Sequence, residues 1–148
     1  MKPILGIDFG QARIGVAISD ELGMLAHPLE TVAADNKAIA RIAELAQTRG
    51  VERVVVGIPR TMKGEVGTAA TAALEFVEKL EKALPCPVTK WDERLTTVAA
   101  ERALRDAGKK TKDTRGYIDQ VAAQMILQGY LDSKQMAAPD LADDSLLP

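Results

Sequence analysis

The sequence predicts an α/β fold: a mixed sheet, made of an antiparallel hairpin meander plus parallel strands, flanked by helices. Three observations predict it. Short apolar runs crowd residues 4–32 with only turn-sized gaps between them, as antiparallel hairpins do. The apolar period then switches to helical spacing near residue 36. From there strand-like and helix-like segments alternate, the pattern that links parallel strands through crossover helices.

The elements follow in order. Residues 4–9 are a short apolar run broken by Asp8 and closed by Gly10, a first strand. Gln11-Ala12-Arg13 makes a turn, and residues 14–19 form a second strand stopped by Asp20. Residues 24–32 supply a third. Pro28 sends it to a sheet edge or forces a bulge, because proline cannot donate to the ladder. In residues 36–49, Ile39, Ile42, Ala43 and Ala46 recur at helical spacing; Asp35 or Asn36 can cap the start, and Gly50 ends the helix. Residues 53–58 read as a central strand, apolar nearly throughout because both faces are covered. A loop over 61–67 leads to a helix over 68–83, with Leu74, Val77, Leu80 and Leu84 along one side, broken by Pro85 and Pro87. Residues 88–92 are another strand. Thr96 or Thr97 caps a helix over 96–107, Gly108 ends it, and a basic loop covers 109–116. A last helix over 117–131 buries Ile118, Val121, Ala122 and Met125. From Gln135 the composition loses its period, so the domain spans 1–134 and residues 135–148 are a flexible acidic tail.

A chain of 148 residues has the size of one domain and can bury a core without disulfides or a structural metal. Its single Cys86 excludes an internal disulfide and thiol-built zinc sites, and the single His27 removes most imidazole sites. No apolar stretch approaches the ~20 residues that cross a bilayer, and the run at 4–7 is too short for a signal peptide, so the expected address is the cytoplasm. With 19 basic and 21 acidic side chains the net charge of −2 does not mark a nucleic-acid binder. Its distribution says more. Acids gather at the C-terminus (Asp132, Asp140, Asp143, Asp144), whereas residues 100–118 hold Arg102, Arg105, Lys109, Lys110, Lys112 and Arg115 against three acids. A solvated helix end explains that strip as well as a phosphate-binding one does.

Three acidic positions stand out. Asp8 lies near the C-terminal end of the first strand, Asp92 and Glu93 at the end of another, and Asp119 in the first turns of the final helix. Ligands of open α/β sheets gather outside the carboxyl ends of parallel strands. Asp119 lies beside the buried stripe of its helix, and Ala122 and Ala123 let that helix approach a neighbour closely. A carboxylate drawn in there needs a partner. The partner is either a salt bridge to Arg94 or Arg115, or a cation shared with other acids; oxygen-only ligation selects Mg²⁺ or Mn²⁺. Strand alternation lets only one of Asp92 and Glu93 face Asp8, and spacing leaves that choice open. The turn Asp8-Phe9-Gly10 with Arg13 and Gly15 has glycines where a phosphate could approach the backbone.

Taken together, the motifs resemble those of the YqgF (RuvX-type) family of RNase H-like nucleases. The matching stretches are Ile7-Asp8-Phe9-Gly10 with Arg13-Ile14-Gly15-Val16-Ala17; Val56-Gly57-Ile58-Pro59 with Met62 and Gly64; Asp92-Glu93-Arg94-Leu95-Thr96-Thr97-Val98-Ala99; and Ile118-Asp119 with Ala122-Ala123, Ile126-Leu127 and Tyr130-Leu131. They span residues 3–131 in order, and the Asp-Glu-Arg-Leu-Thr-Thr block is the most specific. The resemblance implies an RNase H-like mixed sheet and metal-dependent phosphodiester cleavage by an acidic triad. Carried over, that triad is Asp8, Glu93 and Asp119, which hold one or two Mg²⁺ or Mn²⁺ ions. It implies a cytoplasmic nuclease maturing the 5′ end of pre-16S ribosomal RNA, or alternatively a Holliday-junction resolvase acting on branched DNA. The family's usual loop of Leu-Asn-x-Asp-Gly type reads here Arg60-Thr61-Met62-Lys63-Gly64, which is more basic.

In that reading Arg13, Arg94 and the strip Lys109, Lys110, Lys112 and Arg115 neutralise phosphates of structured RNA or branched DNA. The few aromatics, with Phe9, Phe76 and Trp91 in the core, argue against base stacking as the recognition mode. The chain acts as a monomer or homodimer. Two rivals remain: half of an actin-like phosphotransferase, which Asp8-Phe9-Gly10 allows but the length disfavours, and a non-catalytic nucleic-acid-binding module.

Overall fold

The computed structural model describes residues 2–59, 67–95 and 115–146, with side chains over 117–135 in the last stretch. Among them five strands form one sheet in the order β3-β2-β1-β4-β5. Strands β1 (Ile4–Phe9), β2 (Arg13–Ser19) and β3 (Ala26–Ala33) make the expected antiparallel meander. Helix α1 (Ala38–Thr48) crosses to β4 (Arg53–Ile58), and α2 (Thr68–Ala83) crosses to β5 (Val88–Asp92), both strands parallel to β1. A single 3-10 turn, Glu93–Leu95, follows β5, and α3 spans Arg115–Leu146. The expected helix over 96–107, the basic loop and the segment Arg60–Gly64 lie outside the described residues.

Pro28 has both expected effects. β3 is the sheet edge, and the register slips opposite it: Val16 pairs Glu30 while Ala17 pairs Pro28, leaving Leu29 as the extra residue. Asp35 acts one turn before α1 rather than as its cap. Its Oδ1 accepts the Lys37 N–H at 2.9 Å, and the cap residue Lys37 makes no side-chain capping bond. Gly50, at φ +65°, ends that helix in the left-handed conformation. α3 departs most from expectation. It begins two residues before 117 and continues to Leu146, so most of the stretch read as an aperiodic tail is helical. An apolar period reports packing, not helicity. Ala137, Ala138, Leu141 and Ala142 are helix formers that extend an existing helix.

Strand alternation sorts the side chains into two layers. Leu5 and Ile7 of β1, Ile14 and Val16 of β2, and Val54, Val56 and Ile58 of β4 face α1 and α2, where they meet Ile42, Leu45, Phe76, Val77 and Leu80. The alternate set packs under α3: Ile4, Ala17, Val55 and Trp91 against Ala123, Ile126, Leu127, Tyr130 and Leu131. The expected buried face of Ile118, Val121, Ala122 and Met125 is thereby corrected: those four are only half-buried, because the helix turns towards the sheet the side that meets Gly6 and Gly57. Fully burying each such aliphatic side chain contributes about 1.5–3 kcal/mol.

The α3 side is built for close approach. A Cβ on Gly6 would lie 2.6 Å from Leu127 Cβ, and one on Gly57 2.5 Å from Ile126 Cδ1. Three glutamines four residues apart fasten the other flank of α3 to the edge strand. Gln120 Nε2 donates to Thr31 Oγ1 (3.0 Å), Gln124 Nε2 to the Ala26 carbonyl (2.9 Å), and Gln128 Oε1 accepts the Ala26 N–H (2.9 Å). These bonds run α3 from the Thr31 end of β3 back towards its start, so the first turns of α3 stand at the edge where β1 and β5 end.

Candidate active site

Alternation along β1 places Asp8 with Ile4 and Gly6 on the α3 face. Directly opposite, Asp8 pairs with Gly15 of β2. A Cβ on Gly15 would fall 1.8 Å from the backbone oxygen of Asp119, so α3 rests against the strand at this point and delivers Asp119 beside Asp8. From β5, Trp91 lies against Gly129, and Glu93 lies over Gly57: a Cβ there would be 3.1 Å from Glu93 Cγ. Three acids from a strand, a 3-10 turn and a helix thus gather on one face at one edge.

Their charges interact. Burial, and then the negative charge of Asp119, pushes the Asp8 carboxyl up to about 6. Burial, then Asp8 and then Asp92, pushes Glu93 up to about 7. Asp8 is the neighbour common to both pairs. Among the described residues no three acidic, His or Cys side chains are already drawn close enough to grip a single ion. Asp119 instead accepts a hydrogen bond from Arg13 Nε at 2.6 Å. Arg94, one of the two expected alternative partners of Asp119, is therefore corrected. Arg94 is held by Asp92 through a 2.6 Å Nη2 bond and its own backbone N–H, because the two lie two residues apart in the turn after β5. The side chain of Arg115 lies outside the described ones, as do residues Lys109, Lys110 and Lys112.

The donor set fits a hard divalent cation: oxygen ligands only, of which two are forced towards protonation by burial and mutual repulsion, conditions that a dication reverses. Asp92 is ion-paired with Arg94, and Glu93 is coupled to Asp8. The glycines carry a second correction. Gly15 is not an opening for phosphate, since the Asp119 carbonyl occupies the space, and the site of a Cβ on Gly10 lies 2.5 Å from the Arg13 carbonyl. Sequence reasoning missed Gly6 and Gly57 as packing positions and missed the glutamine clamp. The signal was present as small residues at alternate positions on strands that face one helix.

A raised carboxyl pKa means that the folded state binds the proton more tightly than the unfolded chain does. Glu93 therefore contributes stability below about 4.5, and loses it as pH rises through about 7. In EDTA, the stability that Glu93→Gln gains over the parent should be near zero at pH 4 and grow up to pH 8. Urea melts at both pH values measure it, and a gain independent of pH would refute it.

A family model described as RuvX, Holliday junction resolvase, matches residues 2–133. A protein of Chloroflexus aggregans named "Putative pre-16S rRNA nuclease" is 54% identical over 136 residues, covering 90% of this chain and 96% of its own. One of the same name from Nocardia farcinica is 50% identical over 139 residues, covering 88% and 77%. Among solved structures, T. thermophilus RuvC in complex with a Holliday junction substrate superposes with a TM-score of 0.55 at 18% identity, over 91% of this chain and 96% of that one. The fowlpox virus Holliday junction resolvase does so at 0.52 and 14% identity, over 88% and 99%. At such identities the likeness is one of fold, a RuvC-like RNase H architecture.

Proposed function

The chain belongs to the RuvX family, and from that premise we propose that it is a divalent-metal-dependent nuclease that hydrolyses phosphodiester bonds in the 5′-end processing of pre-16S ribosomal RNA. The observation that carries the proposal is the coupling of Asp8 to both Asp119 and Glu93 at one edge of the sheet. Asp8, Glu93 and Asp119 would hold Mg²⁺ or Mn²⁺, one ion or two. Bound there, the metal supplies an acidified water and stabilises the leaving oxygen. The chain's own part is to fix those oxygens on rigid elements: β1 carries Asp8, the turn after β5 carries Glu93, and the glycine-seated α3 carries Asp119.

Arg13, Arg94 and the strip Lys109, Lys110, Lys112 and Arg115 are assigned to the substrate backbone. Phe9 stacks on Phe76 at 4.5 Å and Trp91 meets Tyr130 edge-on at 6.1 Å, so these rings are spent on the core rather than on bases. Binding by phosphate contact weakens steeply with salt, by about one unit of log–log slope for each contact. Replacing Lys109, Lys110, Lys112 and Arg115 with glutamine should flatten the salt dependence of RNA affinity by about three to four units. Filter binding across a salt series reads this, and an unchanged slope would remove the strip from the interface.

We take residues 1–134 as the nuclease domain, in line with the family match ending at 133, and 135–148 as an acidic appendage. No described helix is long and apolar enough to cross a membrane; the proposed work is cytoplasmic, where ribosomal precursors mature. The description of the family favours a second substrate, a four-way DNA junction. Incubating the chain with pre-16S RNA and with such a junction, in Mg²⁺ or Mn²⁺ and beside an Asp119→Asn control, separates the readings. Defined cleavage at the RNA 5′ leader supports the proposal, faster junction cleavage supports resolution, and binding without cleavage of either supports a non-catalytic module.

A further inference from the structure

Arg13 opens β2 on the face that α3 covers, and its side chain is bound at one end and open at the other. Nε donates to Asp119 Oδ2 at 2.6 Å, yet 43% of the Arg13 side chain is exposed against 19% for Asp119. Asp119 cannot easily back away, because its carbonyl fills the space above Gly15. Its negative charge acts on Asp8 at the same time. A guanidinium on Asp119 therefore offsets the repulsion between two crowded acids, which is the work a metal ion would do there. The two cations want the same carboxylate, and arginine cannot yield by losing its proton. It can yield by rotating its exposed end outward. The freed planar fork then matches two oxygens of a phosphodiester.

We propose that Arg13 is a built-in counter-cation that competes with the divalent metal for Asp119, and that metal loading releases its guanidinium to grip a substrate phosphate. The inference rests on the metal-site reading above. It has two readouts that do not depend on turnover. In calorimetric titration of Mn²⁺ into the full chain, Arg13→Gln should bind the ion about two- to fivefold more tightly than the parent, the range of a half-exposed ion pair. Arg13→Lys, which keeps the charge and guards against misfolding, should fall between them. In an Asp119→Asn background, Arg13→Gln should change nothing. In binding of a phosphorothioate-protected RNA hairpin, Arg13→Gln should flatten the salt slope by about one unit in Mn²⁺ and leave it unchanged in EDTA. Equal or weaker Mn²⁺ binding by Arg13→Gln overturns the competition, and an equal loss of slope in EDTA overturns the release. A parent that binds no Mn²⁺, or an Asp8→Asn variant that binds it as well as the parent, defeats the metal-site reading and this inference together.

Discussion

Asp8→Asn should lower RNA cleavage by about a thousandfold or more, and at the same time make the metal-free protein more stable. The loss follows from position, since Asp8 is the one acid coupled to both others and its replacement removes the shared oxygens. The gain follows from cost. Burial and the charge of Asp119 push Asp8 from 3.8 to about 6, so at neutral pH the fold holds an ionised carboxylate that it would hold more readily protonated. Two units correspond to about 3 kcal/mol. The sign is opposite to that of a salt-bridged acid. The stability contribution of Asp8 is present below pH 3.8 and lost as pH rises through about 6, so the neutral, similarly shaped amide gains most at pH 7 and above. Melting in EDTA at pH 8 should show Asp8→Asn about 5–10 °C above the parent. Added Mg²⁺ should then stabilise the parent and not the variant. Cleavage within tenfold of the parent would take Asp8 out of the chemistry. A variant less stable than the parent at pH 8 would show that its carboxylate is not held at a cost.

Gly15→Ala should unfold or severely weaken the protein, although it adds one methyl group. The new carbon would lie 1.8 Å from the Asp119 oxygen, 2.3 Å from its carbonyl carbon and 3.0 Å from the Gln120 nitrogen. All three are backbone atoms, so no rotamer change relieves the overlap, and α3 must lift from the sheet. Lifting it disturbs the core formed by Ala17, Val55, Ala123 and Leu127 and strains the glutamine clamp on β3. The expected loss is about 3 kcal/mol or more, at the upper end of overpacking penalties. Any folded fraction should also cleave poorly, because Asp119 moves away from Asp8. Gly67→Ala is the control: among the described residues a Cβ there meets nothing within 4 Å, and the exchange at the N-cap of α2 should cost no more than about 1 kcal/mol. Chemical denaturation of both variants compares them directly. A Gly15→Ala protein as stable as the control would contradict the seating of α3 on β2.

Much of this was legible along the chain. The spacing of Ile39, Ile42 and Ala46 marked α1, the limits of α2 were read to the residue, and Pro28 announced an irregular edge strand. Asp8, Asp119 and the pair Asp92-Glu93 stood out by sitting at element ends; only the family resemblance chose Glu93 of that pair. The C-terminal reach of α3 was not legible, because residues 135–146 carry no apolar period in the sequence. Nor was the partner of Asp119, which lies 106 positions away at Arg13.

By itself, then, the sequence determined the five strands, the first two long helices and the apolar sides of those two helices, because those properties repeat every two or every three to four residues; the buried side of α3 it did not determine. Only the tertiary structure decided that β1 lies between β2 and β4, that Gly15 seats Asp119, and that Glu93 is coupled to Asp8. Such pairings depend on how closely separate elements come together, and that distance is set by the absence of side chains at Gly6, Gly15 and Gly57, which no local period records.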